Sequence, residues 1–131
     1  MAEKTDAEWR EALTPQQYKV LRQHGTEPPG SSPLNIEKRD GVFSCAGCGQ
    51  PLFAADAKFE SGTGWPSFFK PLENSVETTT DQTMGMTRVE VHCKKCGGHL
   101  GHVFPDGPRP TGMRYCMNGV ALAFDPERKI P

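Results

Sequence analysis

Two cysteine pairs with two-residue spacing carry the clearest chemistry in this chain. They are Cys45 with Cys48 and Cys93 with Cys96, and each pair is followed by glycine. Two intervening residues let both thiolates bind one metal ion from a tight turn, and glycine permits the positive φ that such a turn needs. Four sulfur ligands form the closed shell of structural zinc, so the pattern predicts one zinc ion that joins distant segments and binds no substrate.

Other interpretations of the two pairs remain open. A redox-active CxxC of the thioredoxin kind would lie between a strand and a helix in a βαβ pattern, and neither pair has that context. Iron–sulfur ligation is a second alternative, because spacing alone does not distinguish iron from zinc. The cysteines number five, and an odd count without a recognisable signal peptide argues against a disulfide framework.

The fifth cysteine, Cys116, is left over once four are assigned to metal. Arg114 is near enough in sequence to favour its thiolate. On local sequence alone, however, a buried structural cysteine is the more common use of such a residue.

Two further segments favour a reactive role for this cysteine. His99 and His102 directly follow the second cysteine pair, and Trp65 lies in a glycine-rich turn. Surface histidines and simple core packing of the indole are the plainer alternatives. Together with the unpaired Cys116, these segments predict one site with a thiol nucleophile, imidazole acids and an aromatic wall.

The elements that must position these residues are mostly short strands. Val42–Cys45 and Arg88–His92 have the composition or alternation of strands. Residues 113–117 and 120–124 are predicted to form a hairpin around Asn118-Gly119, because this dipeptide is a strong two-residue turn signal.

Helices are predicted only near the N-terminus. Residues 14–17 have the form of a capping box, and Gly25 is placed to end the helix that follows. A shorter helix is predicted to open at Thr5 or Asp6 and to carry Trp9 and Leu13.

Composition narrows the functional classes. The 131 residues suit one domain, and 14 glycines and 12 prolines indicate many turns. A net charge of −1 gives no case for nucleic acid or an anionic membrane surface, and no apolar run is long enough for a membrane span. A polar N-terminus without an apolar stretch predicts a cytoplasmic protein.

The chain resembles the type B methionine sulfoxide reductases. The matching segments are both cysteine pairs together with HGTEPP at 24–29, KRDGV at 38–42, SGTGWPSF at 61–68, HLGHVFPDGP at 99–108 and RYCMN at 114–118. They run in the family's order over nearly the whole chain, which implies a single catalytic domain over residues 1–131 with a core at about 14–124. The implied fold is mainly β, with two antiparallel sheets forming a small barrel-like core, N-terminal helices and a structural zinc node.

The resemblance also implies an activity and a set of roles. The enzyme would reduce the R epimer of methionine sulfoxide, free or in proteins, through a sulfenic acid on Cys116. Trp65 would line a pocket for the methyl group, while His99, His102 and Asn118 would surround the sulfoxide. The remaining residues assigned to substrate binding are Phe104, Asp106 and Arg114.

Two positions depart from the family pattern. Many members have a cysteine at the place of Thr63, where it converts the sulfenic acid into a disulfide. Because all five cysteines here are already assigned, an external thiol reductant such as thioredoxin is expected to regenerate the enzyme. The residue after Asn118 is commonly serine in the family, and Gly119 is expected to loosen this turn.

Two different functions compete with this interpretation. A non-catalytic zinc module that binds a partner would explain the four paired cysteines and leave Cys116, the histidines and Trp65 without a role. A thiol peroxidase or redox sensor would use Cys116 on a different oxidant.

Overall fold

The computed structural model of the protein describes residues 5–23, 25–28, 30, 32–37, 39–59, 61–81, 88–109 and 111–126. Three residues of the matching segments, His24, Pro29 and Lys38, lie outside these described residues. No described helix is long and apolar enough to cross a membrane.

Two short helices begin the described chain. They are α1 (Asp6–Ala12) and α2 (Pro15–Gln23). The Thr14 hydroxyl accepts from the Gln17 N–H at 3.2 Å, and the Gln17 side chain accepts from the Thr14 N–H at 3.0 Å, which is the predicted capping box. Beyond α2, the Gly25 N–H donates to the Lys19 carbonyl at 2.9 Å and satisfies an end carbonyl of the helix. Both predicted helices are therefore confirmed.

The described strands form two antiparallel sheets. The smaller sheet has the order β2-β1-β9, with β1 at Val42–Cys45, β2 at Pro51–Ala54 and β9 at Leu122–Asp125. The larger sheet has the order β3-β4-β8-β7-β6-β5, with β3 at Lys58–Phe59, β4 at Ser67–Phe68, β5 at Val76–Asp81, β6 at Arg88–Cys93, β7 at His99–Phe104 and β8 at Arg114–Met117. The mainly β fold and the predicted strands at β1 and β6 are confirmed.

The predicted hairpin around Asn118-Gly119 is wrong. Strands β8 and β9 exist, but β8 pairs with β4 and β7 whereas β9 pairs with β1 in the other sheet. A two-residue type I′ turn needs positive φ at both central residues, but Asn118 has φ −79° and a short 3-10 helix follows at Gly119–Ala121. The chain thus crosses from one sheet to the other at this point.

Three phenylalanines join the two sheets. Phe43 of β1 packs edge-on against Phe68 of β4 at 5.0 Å between ring centroids, and Phe53 of β2 stacks on Phe68 at 4.3 Å. All three rings are fully buried. Burial of each ring stabilises the fold by roughly 1.5–3 kcal/mol. Because β4 is the neighbour of β8, this contact also fixes the strand that carries Cys116.

Candidate active site and cysteine cluster

The two cysteine pairs form closely similar turns at the ends of β1 and β6. The Gly49 N–H donates to the Cys45 carbonyl at 2.8 Å, and the Gly97 N–H donates to the Cys93 carbonyl at 2.8 Å. Gly49 has φ +80° and Gly97 has φ +74°, a backbone region that favours glycine. The glycines that follow the pairs thus have the conformation expected of metal-binding turns.

The four sulfur atoms of these turns converge. All lie within 4.8 Å of one another, with 3.7 Å between the Cys45 and Cys96 sulfurs and 3.5 Å between those of Cys48 and Cys93. A tetrahedral ion with Zn–S bonds of about 2.3 Å separates its sulfurs by about 3.8 Å, so this donor set fits a four-coordinate metal. Shared hydrogen bonds among the thiols lower the pKa of Cys96 and raise the pKa of Cys45, so the negative charge of the metal-free cluster rests on Cys96.

The N-terminal helices pack directly on these turns. The Arg22 guanidinium of α2 donates to the Cys96 carbonyl at 2.9 Å and lies 4.6 Å over the Trp9 ring of α1. A Cβ at Gly98 would lie 2.9 Å from a methyl carbon of Leu21. The cysteine turns therefore support both helices as well as both sheets.

Cys116 lies on the wall of a cavity of about 280 Å³. Its strand β8 pairs on both sides, so Cys116 lies opposite Ser67 of β4 and His102 of β7. The cavity is lined by Thr26, Thr63, Trp65, Arg88, Gly101, His102, Phe104, Arg114, Cys116 and Asn118. It brings together the residues predicted from the sequence, except that His99 and Asp106 lie outside this lining.

The environment of the Cys116 thiol acts on its charge in two directions. Burial raises the pKa of Cys116, while a hydrogen bond from Thr63 and the charge of Arg114 oppose that rise. Arg114 is held by Asp106 through two hydrogen bonds of 2.9 and 3.1 Å, and its guanidinium lies 4.5 Å over the Phe104 ring. The bond to Arg114 also lowers the pKa of Asp106. Asp106 thus positions Arg114 from outside the cavity.

The indole of Trp65 is oriented by a constrained turn. Gly62 has φ +74° and Gly64 has φ +92°, and both values suit glycine. The Trp65 Nε1–H donates to the Glu27 carbonyl at 3.0 Å. With its polar edge satisfied by the loop at 25–28, the ring presents an apolar surface to the cavity.

The histidines form a row that leads away from the cavity. His102 lines the cavity, and its ring packs edge-on against that of His99 at 5.4 Å. His99 is only 2% exposed, and its Nδ1 lies 2.6 Å from a Glu90 carboxylate oxygen. The other Glu90 oxygen lies 3.6 Å from Nε2 of His92, which is partly exposed. His102 therefore lies directly opposite Cys116 across the β7–β8 pair, and His99 packs behind it.

Asn118 is a buried connector beside the cavity. Its Oδ1 accepts from the Glu27 N–H at 2.9 Å, and its Nδ2 donates to the Leu100 carbonyl at 3.1 Å. The Glu27 carboxylate accepts from the Val120 N–H at 2.8 Å and completes the connection. The Asn118 amide has a second N–H that this bond to Leu100 does not use.

Sequence reasoning missed four residues around the site. Thr26 and Arg88 line the cavity, while Glu27 and Glu90 hold its surroundings. The alternation of β6, which places positions 88, 90 and 92 on one face, was a usable signal for a charged face beside the histidines. No local pattern indicates that the Glu27 side chain is buried, because its partners are about 90 residues away in the chain.

Comparisons with known proteins agree with this architecture. The family model described as the SelR domain matches residues 13–126. A protein of Agrobacterium fabrum named "Peptide methionine sulfoxide reductase MsrB" is 54% identical over 124 residues, covering 94% of this chain and 92% of its own. Proteins of the same name from Methanosarcina barkeri and Leifsonia xyli subsp. xyli are 55% and 56% identical, over 97% and 95% of this chain and 90% and 91% of theirs.

The fold is also similar to a solved structure of low sequence identity. The crystal structure of the Mis18 'Yippee-like' domain superposes with a TM-score of 0.53 and 20% identity, over 66% of this chain and 96% of that one. This likeness concerns the fold alone. The family match spans nearly all of the described residues, and the relatives exceed half identity over almost their whole length. The chain therefore belongs to the SelR domain family, together with the MsrB proteins that its sequence motifs predicted as its relatives.

Proposed function

We propose that the protein is a peptide-methionine (R)-S-oxide reductase, a thiol-dependent oxidoreductase that repairs methionine after oxidative damage. The observation that carries this proposal is the cavity in which a half-buried cysteine, an imidazole and an indole meet. None of the four clustered cysteines lines that cavity. A non-catalytic zinc module would need the cluster alone, whereas a sulfoxide reductase needs the cavity as well.

The reaction begins with the Cys116 thiolate. Its sulfur attacks the sulfoxide sulfur of the substrate and forms a transient S–S bond. The S–O bond and this S–S bond then break as the oxygen moves to Cys116, which is left as a sulfenic acid. Two electrons pass from the cysteine to the methionine sulfur, and one proton is taken up for each thiolate that reacts. Methionine leaves the cavity as the reduced product.

The proton must reach the sulfoxide oxygen as negative charge develops there. His102 lines the cavity opposite Cys116 and supplies this proton, because imidazole titrates near neutral pH. His99 acts with it from behind, held by Glu90. The second Nδ2–H of Asn118 donates a hydrogen bond to the same oxygen.

The remaining lining residues orient the substrate. Trp65 and Phe104 offer apolar surfaces, and the methyl group packs against the indole of Trp65. Arg114, aligned by Asp106, lies on the side of the thiol. With the methyl group and the oxygen assigned to different walls, only one sulfoxide epimer places its sulfur in line with Cys116.

The direct test is turnover of each purified methionine sulfoxide epimer with dithiothreitol. We expect reduction of the R epimer alone, and we expect Cys116→Ser to abolish it with the melting temperature retained. Reduction confined to the S epimer, or activity that survives in Cys116→Ser, would refute the proposal. Rapid consumption of hydrogen peroxide with no sulfoxide turnover would instead identify a thiol peroxidase.

A second test concerns the proton donor. Since Cys116 must be ionised while the histidine is protonated, the rate should rise and then fall with pH. Burial raises the pKa of Cys116, so only a small fraction of the enzyme holds the thiolate and the protonated imidazole at the same time, and the bell is correspondingly low. His102→Ala should lower the single-turnover rate about 100-fold or more and remove the falling limb. A rate and profile equal to those of the wild type would remove His102 from the mechanism.

The four clustered cysteines are proposed to bind one structural zinc ion. Cys45, Cys48, Cys93 and Cys96 would fill all four positions, so the ion would tie the two turns together without meeting substrate. Because this site joins segments distant in sequence, metal binding is expected to contribute on the order of several kcal/mol to the stability of the fold.

Removing the metal should therefore unfold the protein. Elemental analysis should find one zinc per chain, and a chelator should lower the melting temperature by roughly 15 °C or more. Cys45→Ser or Cys96→Ser should give poorly soluble protein, whereas Cys116→Ser is the matched control that melts like the wild type. A metal-free protein with an unchanged melting temperature would contradict this role.

An external thiol is proposed to regenerate Cys116. With four cysteines engaged by metal, no other thiol of the chain remains to attack the sulfenic acid. Two external thiols reduce it instead, giving water, a disulfide of the reductant and the free Cys116 thiol. Thioredoxin or a small cytoplasmic thiol would supply them, and five cysteines that form no disulfide suit such a reducing compartment.

Mass spectrometry of the zinc-bound protein tests this cycle. After one equivalent of substrate without reductant, we expect one added oxygen on Cys116, and added hydrogen peroxide should then oxidise this sulfenic acid to sulfinic acid. Thr63→Cys should instead form a disulfide, because the side-chain oxygen of Thr63 lies 3.9 Å from the Cys116 sulfur. Loss of two hydrogens in the unsubstituted protein would show an internal resolving cysteine and refute the proposal.

A further inference from the structure

A chain of three hydroxyl groups ends at the Cys116 sulfur. Ser67 Oγ lies 2.8 Å from Ser61 Oγ, Ser61 Oγ lies 2.8 Å from Thr63 Oγ1, and Thr63 Oγ1 lies 3.9 Å from the thiol. Ser67 is only 1% exposed and is the β4 residue opposite Cys116, so the chain starts and ends on neighbouring strands.

The backbone of the turn at 61–65 fixes this arrangement. The Thr63 N–H donates to Ser61 Oγ at 3.3 Å, and the Trp65 N–H donates to Thr63 Oγ1 at 3.4 Å. Each of these hydroxyl oxygens therefore has a backbone donor as well as a hydroxyl neighbour. The positive φ of Gly62 and Gly64 on either side sets the direction of the Thr63 side chain.

The number of hydrogens allows the chain two directions. Ser67 Oγ has two acceptors within reach, Ser61 Oγ at 2.8 Å and the Trp65 carbonyl at 3.1 Å, but a hydroxyl has only one hydrogen. When Ser67 donates to Ser61, Ser61 donates to Thr63, and Thr63 is free to donate to Cys116. When Ser67 turns to the Trp65 carbonyl, Ser61 turns its own hydrogen away from Thr63 and accepts from it, and the Cys116 S–H donates to the Thr63 oxygen.

We propose that this hydroxyl chain reverses with the charge of Cys116, so that Thr63 donates to the thiolate as a catalytic residue while Ser61 and Ser67 position it. A thiolate only accepts hydrogen bonds, whereas a thiol can donate one, so each charge state favours one direction. In a buried site the aligned hydroxyls polarise one another and strengthen the bond to the thiolate.

Charged groups also face the Cys116 sulfur, and they act on its charge in addition to the hydroxyl chain. Arg114 lies on the same strand, His102 lies opposite on β7, and Arg88 lines the cavity from β6. A hydrogen bond from Thr63 lowers the pKa of Cys116 against the effect of burial, in keeping with the geometry. The strand β4 contributes no ionisable side chain here, so its effect on the thiol runs through Ser67.

The test measures the thiol directly in the zinc-bound protein. The rate of Cys116 alkylation by iodoacetamide is followed against pH by mass spectrometry of the modified residue. Thr63→Val removes the hydroxyl at nearly constant volume, and Thr63→Ser is the matched control that keeps it. We expect the midpoint in Thr63→Val to lie about one pH unit above that in Thr63→Ser, with the same plateau rate at high pH.

A second variant tests the middle hydroxyl of the three, that of Ser61. Ser61→Ala should raise the midpoint by a smaller amount, because Thr63 still donates but no longer accepts from Ser61. Midpoints that coincide in the wild type, Thr63→Ser and Thr63→Val would overturn the proposal. If Thr63→Val does not fold, a wild-type midpoint in Ser61→Ala overturns it instead.

The inference takes Cys116 as the reacting thiol of the proposed function, yet alkylation uses no sulfoxide. Turnover of the sulfoxide epimers by the same preparations therefore tests the reductase proposal independently of the hydroxyl chain. If the alkylation midpoint shifts but neither epimer is reduced, the reductase proposal is refuted and the hydroxyl chain stands. If the R epimer is reduced but the alkylation midpoints coincide, the hydroxyl chain is refuted and the reductase proposal stands.

Discussion

Four thiol groups, supplied by turns at the ends of β1 and β6, meet within 4.8 Å, and this meeting joins one strand of each sheet and supports the N-terminal helices. β1 belongs to the smaller sheet and β6 to the larger, so the cluster ties the two sheets at one point. Four sulfurs so close together cannot all carry charge without a cation between them. The convergence fits a metal ion held between the four sulfurs, and the helices that pack on the two turns rest on the same cluster.

The cluster also sets the register of the strands that carry His102 and Cys116. β7 begins at His99, immediately after the second turn, so the turn fixes where His102 falls along that strand. β7 then pairs with β8 and brings His102 opposite Cys116. At Gly101 a Cβ would lie 2.1 Å from the Cys116 carbonyl, so this pairing also needs glycine. The cysteine cluster therefore helps to position His102 and Cys116, although none of its four cysteines lines the cavity.

Local sequence signals predicted those features whose causes are local. The capping box at 14–17 and the glycine turns after each cysteine pair depend on neighbours within a few residues, and both were correct. The Asn118-Gly119 hairpin failed because the Asn118 side chain is committed to Glu27 and Leu100, far away in the chain. Such long-range bonds leave no trace in a dipeptide, and they outweigh its turn preference.

The role of Thr63 also depends on contacts that the local sequence does not indicate. In the sequence it stands out as the absence of a resolving cysteine, whereas the fold gives its hydroxyl two neighbours and places it beside the reacting sulfur.

A cavity that reduces a sulfoxide must satisfy two opposing demands, an anionic sulfur to attack and a protonated imidazole to release the oxygen. A strongly positive environment would favour the thiolate of Cys116 but would drive the proton from His102. Arg114 carries its positive charge beside the thiol, and Asp106 balances that charge through two hydrogen bonds. Hydroxyl donors resolve the conflict differently, since they stabilise a thiolate through their dipoles and add no net charge. Within the proposed mechanism, the chain through Thr63 therefore favours the ionised sulfur while it leaves the proton on His102.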